Sequence, residues 1–297
     1  MNFDHCFLPR FRRRKKKKSF KPHSSSALSS FVRCSELEVL ARLPATGLME
    51  RSGGAPPKDA PIDWPEISTK RHQQQQQQQR HHQPPCVVQQ LANKDGTLFL
   101  IPDALSETEC RSLIRAVEDA GGFDRQGSRG PAKGEALRDC GRVSRRGPAE
   151  EALVARLWKR LSAAILSALP PRDAERAVGL NPHVRMYAYA PGQRFSRHYD
   201  DSEAVERGRT ATGYTLLLYL STLRGAAPGG ETKFYSDGGK LVASVAPVAG
   251  TALLHRHGAS CLLHEGAKVE RAPAGSGGEN VKYVFRSDVV FECAWWS

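Results

Sequence analysis

The sequence predicts an α+β fold: two amphipathic helices, then a run of short antiparallel strands closed into a barrel or jelly roll, all behind a disordered tail. Three observations predict it. Apolar residues are sparse before residue 96, they recur at helical spacing from 106 to 168, and beyond Pro171 the period becomes that of a strand. These changes set three expected regions: a basic, Gln-rich tail (1–95), a helical support region (96–179) and a β domain (180–297).

The tail carries most of the charge. Residues 1–95 hold 17 Lys and Arg against 8 Asp and Glu, whereas the remainder is nearly balanced within a total of 44 against 31. "RFRRRKKKKSFK" is a block of like charge that stays solvated, and it also suits a nuclear address. With "SSSALSS" and a single acid, Asp4, before Glu36, the same stretch has the composition of an organellar presequence. A secretory signal is not expected, since no apolar core follows the basic block. "RSGGAPPKDAPIDWP" and "RHQQQQQQQRHHQPP" replace apolar side chains with Pro, Gly and Gln, so ordering entropy is not offset and a linker is expected. His72, His81 and His82 are read as part of that polar tract. Seven cysteines without paired spacing fit a reduced intracellular compartment, and no apolar run reaches the ~20 residues of a spanning helix.

Order is expected from "TLFLI", a short strand. Ser106 followed by Glu107 and Glu109 is helix-start chemistry; Leu113, Ile114 and Val117 continue the helix, and Gly121-Gly122 ends it. A second helix over roughly 149–168 aligns Leu153, Leu157, Leu161 and Ile165 on one face. Strands follow at "HVRMYAYA", "TGYTLLLYLS", "TKFYS", "LVASVAPV", "TALLHR", "SCLLHEGAKV" and "KYVFRSDVVFE", divided by Gly- and Pro-containing turns.

Within the β half, "RFSRHYD" sets His198 and Asp200 two residues apart. On an extended segment both project from one face, with Cα atoms about 6.5 Å apart, so both reach one ion. Two donors hold a divalent metal poorly, and a third must come from a distant strand. His255, His257 and His264 are the candidates. Two histidines and a carboxylate on one face of an octahedral ferrous ion leave the opposite positions open, whereas zinc favours a closed tetrahedral site.

The segments "YAPGQRFSRHYD", "YTLLLYLS", "GGETKFY" and "LLHEGAKV...VKYVFRSDVVF" resemble the catalytic domain of the 2-oxoglutarate- and Fe(II)-dependent oxygenases, in particular the prolyl 4-hydroxylase-like branch. The resemblance covers residues 180–292 and reaches more weakly to "SETECRSLIRAV" and "LRDCGRVS". It implies a double-stranded β-helix (jelly-roll) core and hydroxylation of a substrate, with a peptidyl proline the first guess and succinate and CO2 released. It implies Fe(II), 2-oxoglutarate and O2, with L-ascorbate as a helper. Carried onto this sequence, it makes His198, Asp200 and His264 the iron ligands, His264 being the histidine in a His-x-Gly setting. Lys282 is the implied partner of the distal carboxylate of 2-oxoglutarate, with Arg286, on the same strand face, as fallback; a dicarboxylate entering a narrow barrel needs a fixed cation at its deep end. Tyr189 fits the position of a tyrosine that meets the cosubstrate, and Thr232 and Tyr219 are weaker candidates. Arg142 is read as a surface residue, with the substrate mouth as the other reading. The interval between His264 and Lys282 is longer than the family's usual one, through "APAGSGGEN".

Two rivals belong to other classes. A cupin-like metal-dependent isomerase or hydrolase would use the same ligands without 2-oxoglutarate, which leaves Lys282 and "GGET" without a task. A non-catalytic binder would grip nucleic acid or an acidic partner through the basic tail. The expected partners are a peptide, protein or small-molecule substrate, with no membrane and with nucleic acid only through the tail.

Overall fold

A computed structural model describes residues 61–69, 89–90, 97–127, 138–225, 229–275 and 280–293. The basic block, the Gln run and the three tail histidines lie outside them.

The described chain is mostly antiparallel β-sheet, half-barrel in form, with few helices, and is consistent with a jelly-roll core. It opens with β1 (Gln89–Gln90) and β2 (Leu98–Ile101), followed by α1 (Glu107–Asp119), β3 (Asp124–Gly127) and β4 (Arg138–Arg145). Then come α2 (Pro148–Ala168), α3 (Pro171–Ala174), β5 (Ala177–Leu180), β6 (Val184–Tyr189), β7 (Arg194–His198) and β8 (Ala204–Val205). The long β9 (Thr210–Tyr219) leads to β10 (Thr232–Tyr235), β11 (Leu241–Val245), β12 (Ala252–Arg256), β13 (Leu263–Gly266) and the long β14 (Lys282–Glu292). Hydrogen-bonded neighbours run β1-β2-β12-β9-β14-β6-β4-β7-β13-β10-β11, with β3 on β4, β5 on β14 and β8 on β9.

Both helices start where their sequences direct. Ser106 Oγ accepts from the Glu109 amide while the Glu109 carboxylate accepts from the Ser106 amide, a reciprocal cap that satisfies two orphan donors. Pro148 opens α2, where a missing N–H costs nothing. The apolar stripes of α1 and α2 bury Leu113, Val117, Leu153, Leu157, Leu161 and Ile165 against Met186, Leu216, Leu218, Phe285 and Val289.

Period two then decides the other face. On β9, Leu216 and Leu218 go to the helices, while Leu217 and Tyr219 go opposite, as do Lys282, Val284 and Arg286 on β14. There Tyr219, Leu253, Val284 and Leu98 meet Phe234 of β10 and Val245 of β11. The sheet is therefore covered by helices on one face and curls over its own far strands on the other.

Two expectations are corrected. The stretch before residue 96 is not all linker: Ile62, Trp64 and Ile67 are buried in the helix-side core, and Trp64 Nε1 donates to Glu150 Oε1 at 2.8 Å. Arg160 donates to the Ser68 carbonyl at 3.0 Å, and β1 pairs with β2. The span expected as helical support supplies, besides the expected strand at "TLFLI" (β2), the strand β4 to the main sheet, lying between β6 and β7.

Candidate active site

A pocket opens on the sheet face away from the helices. Its wall includes His198, Asp200, His255 and His264, with Lys282 and Arg286 from β14 and the rings of Tyr187, Tyr189 and Phe195. Pairing brings the histidines together across 66 residues of sequence. β13 runs antiparallel to β7 with His264 directly opposite His198, and the two rings stand 4.2 Å apart. Strand β7 ends at His198, two residues before Asp200. The Asp200 carbonyl accepts from Gly258 at 3.0 Å, and its amide points at the Cys261 sulfur.

Asp200 sits among imidazoles. Nε2 of His198 is 3.8 Å from Oδ1, and Nε2 of His264 and His255 lie 3.7 and 3.6 Å from Oδ2. Thr215 donates to Oδ2 at 2.8 Å and Arg286 to Oδ1 at 3.1 Å. Burial alone would raise the Asp200 carboxyl, but the Arg286 guanidinium beside it holds it well below the usual carboxylate range. It is an anion with several acceptor positions.

The imidazoles are neutral. Burial, helped by the nearby His264, pushes His198 down to about 3, and burial likewise lowers His255 and His264. His198 Nδ1 meets the Ser196 carbonyl at 2.8 Å and His264 Nδ1 the Leu262 carbonyl at 2.9 Å. Carbonyls accept only, so both Nδ1 atoms carry the proton and both Nε2 lone pairs face Asp200. Neutral imidazoles with fixed tautomers beside one ionised carboxylate fit a divalent first-row metal, and His198, Asp200 and His264 each offer an atom within 4.8 Å of the other two. His257 is elsewhere: its Nε2 is 3.7 Å from Asp288 and its Nδ1 3.5 Å from Thr212 Oγ1.

At the other end of the pocket, Lys282 pairs across the ladder with Tyr189. Its Nζ lies 5.7 Å from the Tyr189 ring centre and 5.5 Å from that of Tyr219. It is 4% exposed, and burial lowers it to about 8. Among the described residues no carboxylate lies within ion-pairing distance of it. Thr232 accepts from the Tyr219 hydroxyl at 2.8 Å beside it. Arg286 differs: its guanidinium is held between Asp200 and Asp288, at 3.1 and 3.3 Å.

The "GGET" glycines serve the turn. Gly229 has φ +66°, and a Cβ there would stand 2.2 Å from the Lys268 carbonyl oxygen; one on Gly230, at φ +71°, would stand 2.7 Å from Leu223 Cδ1. Arg142 hydrogen-bonds Gln126 and Ser144 and does not line the pocket. At the mouth Phe195 stacks on His198 at 3.6 Å between centroids, and Arg138 lies 4.0 Å over Phe195. Sequence reasoning did not single out Phe195, Arg138 or Thr215. Phe195 and Thr215 lie on segments read as strands, but which strands they would meet was not legible.

An antiparallel β fold whose pocket gathers an imidazole–carboxylate cluster at one end and a lone buried cation at the other defines a candidate metal-dependent enzyme with an anionic co-ligand. Residues 183–285, which contain all of these groups, match the family model described as the 2OG-Fe(II) oxygenase superfamily. Solved structures similar to the chain include a viral collagen prolyl hydroxylase from Paramecium Bursaria Chlorella virus-1 in complex with 2OG, at 19% identity over 66% of this chain and 96% of that one, with a TM-score of 0.46. A prolyl-4-hydroxylase from Pseudomonas putida is similar at 15% identity over 66% and 94%, TM-score 0.43. A prolyl hydroxylase from Trichoplax adhaerens, in complex with a hypoxia inducible factor oxygen degradation domain peptide fragment, is similar at 17% identity over 67% and 84%, TM-score 0.47. No match was found among curated proteins. No described helix is long and apolar enough to cross a membrane.

Proposed function

We propose that this chain is a dioxygenase that uses Fe(II), 2-oxoglutarate and O2 to hydroxylate a peptide, a peptidyl proline first among the candidates, on a jelly-roll core of the double-stranded β-helix type. The observation that carries the reading is the pairing, in one pocket, of the His198–Asp200–His264 cluster with Lys282, which makes no ion pair among the described residues. A metal-dependent isomerase or hydrolase gives no reason to bury an unpaired lysine, since desolvating a cation is costly without an anion to meet it. A dicarboxylate gives one.

Each residue then has a task. His198, Asp200 and His264 hold the iron, and the Ser196 and Leu262 carbonyls keep both imidazoles in the ligating tautomer. Lys282 pairs with the distal carboxylate of 2-oxoglutarate, near the hydroxyl of Tyr189 and the Tyr219–Thr232 pair. Arg286 fixes the Asp200 carboxylate through Oδ1, while Thr215 fixes it through Oδ2. Phe195, stacked on His198, limits water at the open face. When bound, the metal and cosubstrate supply the oxidising power, and the protein supplies position and dryness. L-ascorbate enters as a reductant that keeps the metal ferrous. The segment before residue 61 is a basic tail that directs the enzyme rather than taking part in its chemistry.

The test is mass spectrometry of proline-containing peptides incubated with the iron-loaded chain, 2-oxoglutarate and O2. The expected product is heavier by one oxygen atom on proline, and only when 2-oxoglutarate is present. Peptide turnover that is indifferent to 2-oxoglutarate would move the protein to the hydrolase or isomerase class.

A further inference from the structure

His255 stands outside the triad, yet it is as near to Asp200 as either of the other histidines. Its Nε2 is 3.6 Å from Asp200 Oδ2, and its ring centre is 4.5 Å from that of His264. Pairing of β12 with β9 sets it opposite Thr215, whose hydroxyl holds the same carboxylate oxygen. It is 2% exposed, and burial keeps it neutral. One feature separates it from its neighbours. His198 and His264 each rest Nδ1 on a backbone carbonyl, whereas His255 Nδ1 is buried with no hydrogen-bond partner among the described residues. Its ring is held only by packing, against the Phe234 edge at 5.4 Å, and it faces the pocket.

All three imidazole Nε2 atoms lie within 3.8 Å of Asp200, so His255, like the other two, is placed to share an ion with that carboxylate. We propose that His255 is a fourth, displaceable protein donor to the metal, holding a coordination position that it vacates when 2-oxoglutarate binds. The count of positions gives the reason it must leave. A six-coordinate ion holding four protein donors has two positions left; a chelating 2-oxoglutarate fills both and leaves none for O2. With His255 withdrawn, one remains. The missing carbonyl anchor makes His255 the donor that yields, because ligating imidazoles are otherwise fixed through their second nitrogen. The consequence is a closed resting site that admits oxygen only after cosubstrate binds. This proposal rests on the 2-oxoglutarate reading given above.

Cys261 is the other neighbour that could complete such a set, its sulfur lying within 4.8 Å of donor atoms of His255 and His264. Its sulfur receives the Asp200 amide at 3.3 Å and lies 3.5 Å from the Leu262 carbonyl, contacts that hold it to the backbone.

The experiment is an anaerobic Co(II) titration of the full chain, followed by absorption, for wild type, His255→Phe and His255→Gln, each with and without saturating 2-oxoglutarate. Without 2-oxoglutarate, both variants should bind Co(II) at least about tenfold more weakly than wild type, with an altered visible spectrum. With it, spectra and affinities should converge, and by linkage the metal-loaded variants should bind 2-oxoglutarate more tightly by the factor lost in metal affinity. His255→Gln keeps the reading available if the phenylalanine variant does not fold. Equal Co(II) affinity and spectra without 2-oxoglutarate would overturn the proposal, as would a deficit that persists unchanged when 2-oxoglutarate saturates the site. A sulfur-to-cobalt charge-transfer band would overturn it too, by putting Cys261 in the set. A wild-type spectrum that 2-oxoglutarate does not change would instead count against the cosubstrate reading, and the spectra without 2-oxoglutarate would still decide whether His255 is a donor.

Discussion

Lys282 is the residue on which the cosubstrate assignment turns, and its environment gives that assignment a pH signature. Burial lowers it from 10.5 to about 8 in the empty pocket, while a bound dicarboxylate favours the charged form. Affinity for 2-oxoglutarate should therefore be full below pH 8 and fall as pH rises through that value, approaching tenfold per pH unit until the bound-state value is reached. Calorimetric titration from pH 7 to 9.5 reads this directly. Lys282→Arg, which keeps its charge, should flatten the profile, and Lys282→Met should weaken binding at pH 7 by roughly 10- to 100-fold, the scale of one charge-assisted bond of about 1.5–3 kcal/mol. The same residue shows how far sequence reading reached. Lys282 and Arg286 share a strand face, so alternation alone could not rank them; the rank comes from the two carboxylates that hold the arginine, Asp200, distant in sequence, and Asp288, two residues on along the same strand face.

Among elements, the antiparallel contact of β7 with β13 positions the site, and the turn before β10 sets β10 beside β13. That turn depends on Gly229, where a left-handed backbone coincides with a carbonyl at 2.2 Å from any added Cβ. Gly239, at φ +75° with nothing within 4 Å, is the internal control. Gly239→Ala should cost only the conformational penalty of about 1 kcal/mol, whereas Gly229→Ala should cost clearly more and lower the thermal midpoint further. Strands rich in β-branched and aromatic residues, such as "TLLLYL", were legible in the sequence because their composition matches a half-buried pleat. The strands β3 (DRQG), β4 (RDCGRVSR) and β5 (AVGL) were not, since their polar or small side chains carry no period and their pairing comes from β6 and β14. His255 belongs with these: its proximity to Asp200 follows from the β12–β9 register, which a sequence pattern does not specify.

Over the whole molecule, the segment at 61–69 packs on α1 and α2 in the helix-side core. Two isoleucines and a tryptophan set among prolines and acids have no helical or strand period, so composition assigned them to the tail; only contact with α1 and α2 shows them as core. Trp64→Ala should destabilise the protein by about 3 kcal/mol or more, from lost burial together with a Glu150 carboxylate left unpaired, and Trp64→Phe by much less. Urea midpoints measure both, and pocket residues should keep their ligand affinity in the folded fraction. The account as a whole depends on a metal cluster and a lysine acting on one cosubstrate molecule. Succinate formed from 2-oxoglutarate by the iron-loaded chain tests that most directly: wild type should produce it in an O2-dependent manner, and His198→Ala, Asp200→Ala and His264→Ala should each reduce it to background. Undiminished succinate from any of the three, or none from the wild type with iron bound, would contradict it.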